Sequence, residues 1–375
     1  MIYLDHNATT PIAPEVVEAM KPCLGKEYGN PSSSHGLGRH AKQTLEGARA
    51  EVAQLIRCLP KEVVFASGGT ESNNMVIKGV AHSLAHKGRH IVTTEIEHPA
   101  VTNPCLFLMY QGYDVTFLPV DPFGMVDPLA VKHAIKPTTI LISVMHANNE
   151  TGTIEPIEEI GKLAQEAGVL FHTDAAQSAG KIPVDVSELG VDFLSLAGHK
   201  MYAPKGIGAL FVRDGLTIEP FMHGAGQESG RRAGTENVMF AVALAKACAL
   251  ARMRMPQDTE RMRHLRDRFH DLLSGHISEL VLNGHAHARL PNTLNVSLPH
   301  IDGSTLLDAI PEVCASTGAA CHDRSVSLSH VLAAMGVPKE IGRGALRLTL
   351  GRDNTEAEIE AAAEMIAQAY HRLRG

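Results

Sequence analysis

The stretch FLSLAGHKMYAPKGIGAL, residues 193–210, decides the fold. The apolar run FLSLA ends at Gly198-His199-Lys200, a Gly/Pro-rich segment follows, and IGALFV (207–212) is apolar again. Short apolar runs without charge read as buried strands. Two of them with a turn and no helix between predict an antiparallel neighbour within 192–212. Outward from there, EVVFAS (62–67), HIVTT (90–94), DVTFLPV (114–120), TILISVMHA (139–147) and GVLFHT (168–173) read as further strands. Helical patterns at 70–86, 99–111, 127–135 and 156–167 separate most of them. Apolar strands alternating with helices predict an α/β fold, a mostly parallel seven-stranded sheet between helices. Beyond it the pattern predicts a helix over 236–254, a break at Pro256 and a charged helix over 258–275. TLNVSL (293–298), ALRLTL (345–350) and a helix near 354–373 then suggest a smaller α+β domain. The expected division is a large domain over 16–255 and a small one made of 1–15 and 256–375.

Bulk properties narrow the function. The 375 residues are 44% hydrophobic and only 4% aromatic, without tryptophan, so the core is aliphatic. With 34 basic and 41 acidic residues the net charge is −7, which argues against a nucleic-acid partner. The stretch MFAVALAKACALA (239–251) is interrupted by Lys246 and too short for a bilayer, so no membrane association is expected. The start, MIYLDHNATT, does not resemble a signal peptide. Six scattered cysteines without a CxxC pair suggest neither a zinc site nor a redox motif, and fit a reducing cytoplasm. Cys58, Cys248 and Cys314 read as buried, inert thiols. The histidines of GHAHA (284–288) and His300 read as loop residues, and no metal is expected.

Open parallel sheets bind ligands at the carboxyl ends of their strands. Here those ends carry Ser67-Gly68-Gly69-Thr70, Glu97-His98, Asn148-Asn149, Asp174 with Gln177, and His199-Lys200. A lysine in such a pocket is easily desolvated and can bind an aldehyde as a Schiff base; alone, Lys200 reads more readily as a surface lysine, and its neighbours decide otherwise. Asp174 is suited to pair with a pyridinium nitrogen, or else caps the next helix. Gln177 can donate to a ring phenolate, or simply face solvent. SGGTESNN (67–74) has a Gly-rich turn entering a helix, where free N–H groups attract an anion. It matches neither the dinucleotide nor the P-loop pattern. His98 can stack on a ring and move protons. Arg347, within an apolar strand pattern, needs a carboxylate, either a ligand's or an internal partner's. Cys321, in ASTGAACHDRSVSLS, reads as an exposed loop thiol whose pKa His322 and Arg324 would lower. The inventory fits pyridoxal 5'-phosphate bound to an amino acid.

At this point the chain resembles the cysteine desulfurases, class V of the fold-type I pyridoxal-phosphate enzymes. The motifs YLDHNATTP, GNPSSSH, SGGTESNN, EIEHPAV, MHANNETG, HTDAAQ, GHKMYAPKGIGAL, RRAGTEN, LPNTLN, GAAC and LRLTLGR carry the likeness over nearly the whole length. The resemblance implies that Lys200 forms the Schiff base and moves protons, and that His98 stacks on the ring. It implies that Asp174 holds the ring nitrogen and Gln177 the phenolate. Gly69, Thr70 and His199 would bind phosphate, with Thr235 reaching the site of the partner in a homodimer. Asn149 and Arg347 would hold the substrate carboxylate. Cys321 would take the sulfur of L-cysteine as a persulfide, leave alanine, and pass the sulfur to an acceptor or scaffold protein. Ala197 stands where the family often has serine, which removes one phosphate hydroxyl and predicts weaker anchoring. GAACH is also similar to selenocysteine lyases, so release of selenium from L-selenocysteine is the alternative. A non-catalytic persulfide carrier is the reading from another class.

Overall fold

The computed structural model describes residues 1–317 and 328–374. Its strands, in chain order, are β1 (Ile2–Tyr3), β2 (Val63–Ala66), β3 (His90–Thr94), β4 (Asp114–Leu118), β5 (Thr139–Ser143), β6 (Leu170–Asp174), β7 (Phe193–Ala197), β8 (Gly208–Val212), β9 (Val281–Asn283), β10 (Thr293–Ser297), β11 (Val313–Cys314) and β12 (Ala345–Thr349). The central sheet has the order β2-β8-β7-β6-β5-β3-β4. Each expected strand of the first 212 residues is present. β8 runs antiparallel to both β7 and β2, while the other pairings are parallel. The stretch 193–210 is therefore a strand, a tight crossing over Lys200, and a returning strand. Gly208 permits the return: a Cβ there would stand 2.4 Å from the Leu196 carbonyl oxygen and 2.7 Å from the Gly68 Cα.

Both faces of this sheet are covered. Val52, Ile56, Phe171 and Leu244 belong to one buried cluster, and Met75, Ile77, Leu108, Phe193 and Leu210 to another. The central strands are buried on both faces, so they read as continuous apolar runs rather than alternating ones. A separate cluster holds Leu4, Phe269, Leu294, Leu346 and Ile366. There β12-β10-β9 form a small antiparallel sheet, and β1 pairs with β11. The N-terminal strand thus lies against the C-terminal part of the chain.

Two features depart from the sequence reading. The chain does not break at Pro256: one helix runs from Val238 to His276, started by the Asn237 side chain, which accepts from the Phe240 N–H at 3.1 Å. Proline removes one bond from the ladder and crowds the preceding turn. Here the helix is held on either side of that turn by different cores, Leu244 and Cys248 in one and Leu265, Phe269 and Leu273 in the other. The expected division at 255–256 therefore falls inside a continuous helix. The second departure is the helix Gly36–Ile56, which the pattern did not suggest. Its Gly/Ala-rich sequence gives a weak apolar signal, but Ala41, Leu45, Ala48 and Val52 recur every three to four residues and are buried.

Candidate active site

The carboxyl ends of β2, β3, β5, β6 and β7 open on one cavity of about 380 Å³. Gly69, Thr70, His98, Asn149, Asp174, Gln177, Ala197, His199, Lys200 and Arg347 all line it. Of the expected site residues among the described ones, only Thr235 does not line it. Thr235 is exposed and lines a different groove, beside Gly234 and Asn237, so a single chain does not bring it to the cavity. Cys321 lies outside the described residues, as do His322 and Arg324.

Lys200 sits on the short turn after β7. Its ammonium donates to the carbonyls of Asn7 at 2.6 Å and Ala8 at 2.7 Å. Burial, and next the Arg347 cation, bring its pKa down to about 8, against the pull of Asp5 and Asp174. The lysine is thereby moved from a permanent cation toward a usable amine at physiological pH.

Asp174, the last residue of β6, is buried. One carboxylate oxygen accepts from Asn73 Nδ2 at 2.7 Å and the other from the Ala176 N–H at 2.9 Å. The second bond closes a turn; among the described residues no helix follows β6 before β7, so the helix-capping alternative for this aspartate does not hold. No positively charged side chain bonds to it among the described residues. A buried carboxylate to which no cationic side chain bonds is suited to a cationic ligand group. Gln177 donates from Nε2 to the Asn7 carbonyl at 2.9 Å, which leaves one N–H free of that bond.

The helix Gly69–Ser83, whose start lines the cavity, begins with no side-chain cap. Its first N–H groups point their positive end at the cavity. Gly69 keeps this cradle open: a Cβ there would lie 3.5 Å from that of Ala197 and 3.8 Å from that of Ala176. His199 Nδ1 is 3.2 Å from Thr9 Oγ1. Burial, then Lys200 and Lys205, lower its pKa to about 4, so the ring is neutral. His98 caps the helix Pro99–Tyr110, its Nδ1 accepting from the Ala100 N–H at 3.0 Å. A neutral His98 therefore carries its proton on Nε2. Its pKa is lowered, first by burial, with Asp174 opposing.

Arg347 on β12 reaches the cavity from the small sheet. It donates to Asp5 Oδ1 at 2.9 Å, to the Asn149 carbonyl at 3.2 Å and to Ser316 Oγ at 3.2 Å. The internal ion pair open as an alternative for this arginine thus exists. Arg347 Nε and Asn149 Oδ1 remain buried without partners among the described residues. Two such groups cost free energy unless a ligand meets them.

The residues fit a ring-bearing phosphate: an uncapped helix start at Gly69, a buried carboxylate that bonds no cation among the described residues, and a lysine of lowered pKa all line one cavity. A family model for class-V aminotransferases matches residues 2–362. The chain belongs to the class-V aminotransferase family. Pyridoxal 5'-phosphate is the cofactor of this family. The cysteine desulfurase IscS of Dictyoglomus turgidum is 48% identical over 375 residues, covering all of this chain and 95% of that protein. The cysteine desulfurase IscS of Methanosarcina thermophila is 47% identical, covering all of this chain and 93% of that protein. A solved structure of a NifS-like protein superposes with a TM-score of 0.92 at 37% identity, covering 98% of each chain. These are the likenesses expected of a fold-type I enzyme, and the sheet order agrees.

Several members of this family site escaped the sequence reading. Asn73 lies one turn beyond Gly69 on the same helix, so its place in SGGTESNN was a signal available from the i, i+4 rule. Asn7 and Lys181 are nearly fully buried beside Gln177 and Lys200. Only YLDHNATTP hinted at Asn7, and nothing in the local pattern marked Lys181. Of the three cysteines expected to be buried, Cys248 is, and its thiol is pushed up to about 12 by burial, as is that of Cys105. Cys58 and Cys314 are only half-buried. Among the described residues no group of three His, Cys, Asp or Glu side chains is placed to hold a metal, and no helix is long and apolar enough to cross a membrane.

Proposed function

We propose that this chain is a pyridoxal-phosphate-dependent cysteine desulfurase that converts L-cysteine to L-alanine and loads the sulfur on Cys321. The observation that carries the reading is the presence on one cavity lining of Lys200, its pKa lowered to about 8, and of Asp174, whose buried carboxylate bonds no cation among the described residues. The full-length relatives named cysteine desulfurase point the same way.

The bound cofactor supplies an electron sink for an amino acid's α-carbon, which eases cleavage of the bond from its β-carbon to sulfur. The chain's residues would do the rest. The helix start at Gly69 and Thr70, with neutral His199, receives the phosphate. Ala197 offers no hydroxyl there. Asp174, oriented by Asn73, would hold the ring nitrogen, and Gln177 would donate to the ring oxygen. His98 would stack on the ring, with its Nε2 proton available for the acid–base steps. Lys200 takes or returns the α-proton at Nζ. Arg347 and Asn149 offer Nε and Oδ1 at the end of the cavity where a substrate carboxylate and its neighbours would lie. The Cys321 thiolate attacks the substrate sulfur. The carbon–sulfur bond breaks with its electron pair passing to the β-carbon, a sulfur–sulfur bond forms on Cys321, and the β-carbon takes up a proton to become the methyl of alanine.

A homodimer fits Thr235, which is exposed and would complete a partner's cavity. A sulfur acceptor or scaffold protein and a cytoplasmic setting follow from the same reading. The test is alanine release from L-cysteine and from L-selenocysteine by wild type, Lys200→Ala and Cys321→Ala. A desulfurase gives alanine from cysteine in wild type only. Turnover of selenocysteine alone, surviving Cys321→Ala, would make it a selenocysteine lyase. No visible absorption after adding pyridoxal phosphate would leave a persulfide carrier.

A further inference from the structure

Lys181 is a lysine that the reaction does not use. It is 7% exposed and lies on the turn after β6, four residues beyond Gln177. Gly180 shapes that turn with φ of +77°, its Cα packed so that a Cβ would meet Met201 Sδ at 3.0 Å. Both polar partners of the Lys181 ammonium are neutral amides: Gln177 Oε1 at 3.0 Å and Asn7 Oδ1 at 3.1 Å. Burying a cation against two amides is costly and needs a compensating reason.

The contacts supply one. In the structure Lys181 Nζ donates to both amide oxygens, so the Gln177 oxygen faces Lys181 and its nitrogen faces away. That nitrogen donates to the Asn7 carbonyl, the same carbonyl that receives Lys200 Nζ. Asn7 is in turn fixed on all sides. Its Nδ2 donates to the Asn149 carbonyl at 3.2 Å and to Thr293 Oγ1 at 2.9 Å. Its Oδ1 also accepts from Asn292 Nδ2 at 3.0 Å, and its N–H donates to Thr349 Oγ1 at 3.0 Å. One buried network thus ties two cavity residues to β10, β12 and the loop after β5.

We propose that Lys181 is a positioning residue: through Gln177 Oε1 and Asn7 Oδ1 it fixes which end of the Gln177 amide faces the cofactor cavity and holds the carbonyl that aims Lys200. This rests on the reading of the cavity as a pyridoxal-phosphate site. In Lys181→Met the amide loses the donor that sets its direction, with little change in side-chain length.

The experiment compares wild type, Lys181→Met, Gln177→Ala and the double variant, each reconstituted with pyridoxal phosphate. It records the visible absorption band and cofactor retention on dialysis. The expected result for Lys181→Met is a displaced band and retention weaker by roughly three- to tenfold, the span of one neutral hydrogen bond. In the Gln177→Ala background the same substitution has a smaller effect, because the group it acts through is gone. An unchanged band and retention in a Lys181→Met protein that melts normally would overturn the proposal. So would an equal effect in both backgrounds. If Lys181→Met does not fold, Lys181→Gln replaces it, and failure of both makes the residue purely structural and the proposal wrong. A wild type with no visible band refutes the cofactor reading itself, before any variant is compared.

Discussion

The lowered pKa of Lys200 is open to direct measurement in the cofactor-free protein. At a pKa of about 8 roughly one molecule in ten carries the free amine at pH 7. An ordinary lysine at 10.5 would offer about one in three thousand. The assay is competitive acetylation by trace acetic anhydride from pH 6 to 11, read by peptide mass spectrometry, with exposed Lys87 as internal reference. Lys200 should label with an inflection near 8. Replacing Arg347 by leucine removes the nearby cation and frees the Asp5 carboxylate from its 2.9 Å pair. Both changes favour the protonated amine, so the Lys200 inflection should move upward. A wild-type inflection near 10.5, or no movement in Arg347→Leu, would refute the reasoning.

Four further outcomes are expected. Ala197→Ser adds a hydroxyl beside the Gly69 cradle and should slow cofactor loss on dialysis by about two- to tenfold. Lys181 has a folded-state pKa of about 7, brought down first by burial, against an ordinary 10.5. The unfolded chain therefore holds a proton that the folded chain has released, so cofactor-free stability rises with pH from about 7 to about 10.5; chemical denaturation across that range should show the rise flattened in Lys181→Met. Arg49, 7% exposed, donates to both carboxylate oxygens of buried Glu228 at 2.7 and 3.0 Å; Arg49→Met strands that carboxylate and should cost about 3–5 kcal/mol in urea unfolding. Phe269→Ala empties a fully buried position of the small core and should cost a similar ~3–5 kcal/mol.

What was legible in the sequence follows the physics of each element. Central strands are buried on both faces, so each shows as an apolar run with a polar residue at its carboxyl end. That is why Asp174, His199 and Lys200 could be placed at one sheet edge before any coordinates. The alternation with helices gave the parallel order, and the missing helix between 197 and 207 gave the reversal of β8. The helix Gly36–Ile56 was not legible because alanine and glycine bury little apolar area per residue. Pro256 misled because a proline in a long helix is outweighed by packing on both sides of it. Lys181 and Asn7 were hidden for another reason. Their roles arise from hydrogen bonds between residues about 170 positions apart in the chain, which no local period encodes.

The central claim is that sulfur from cysteine ends on Cys321. A single turnover of the reconstituted protein with one equivalent of L-cysteine, quenched by an alkylating reagent and digested, tests it by mass spectrometry of the Cys321 peptide. The account predicts that peptide carrying one extra sulfur atom, in step with the alanine formed, and neither product in Lys200→Ala. Alanine without sulfur on Cys321, or an unchanged peptide and no alanine, would contradict it.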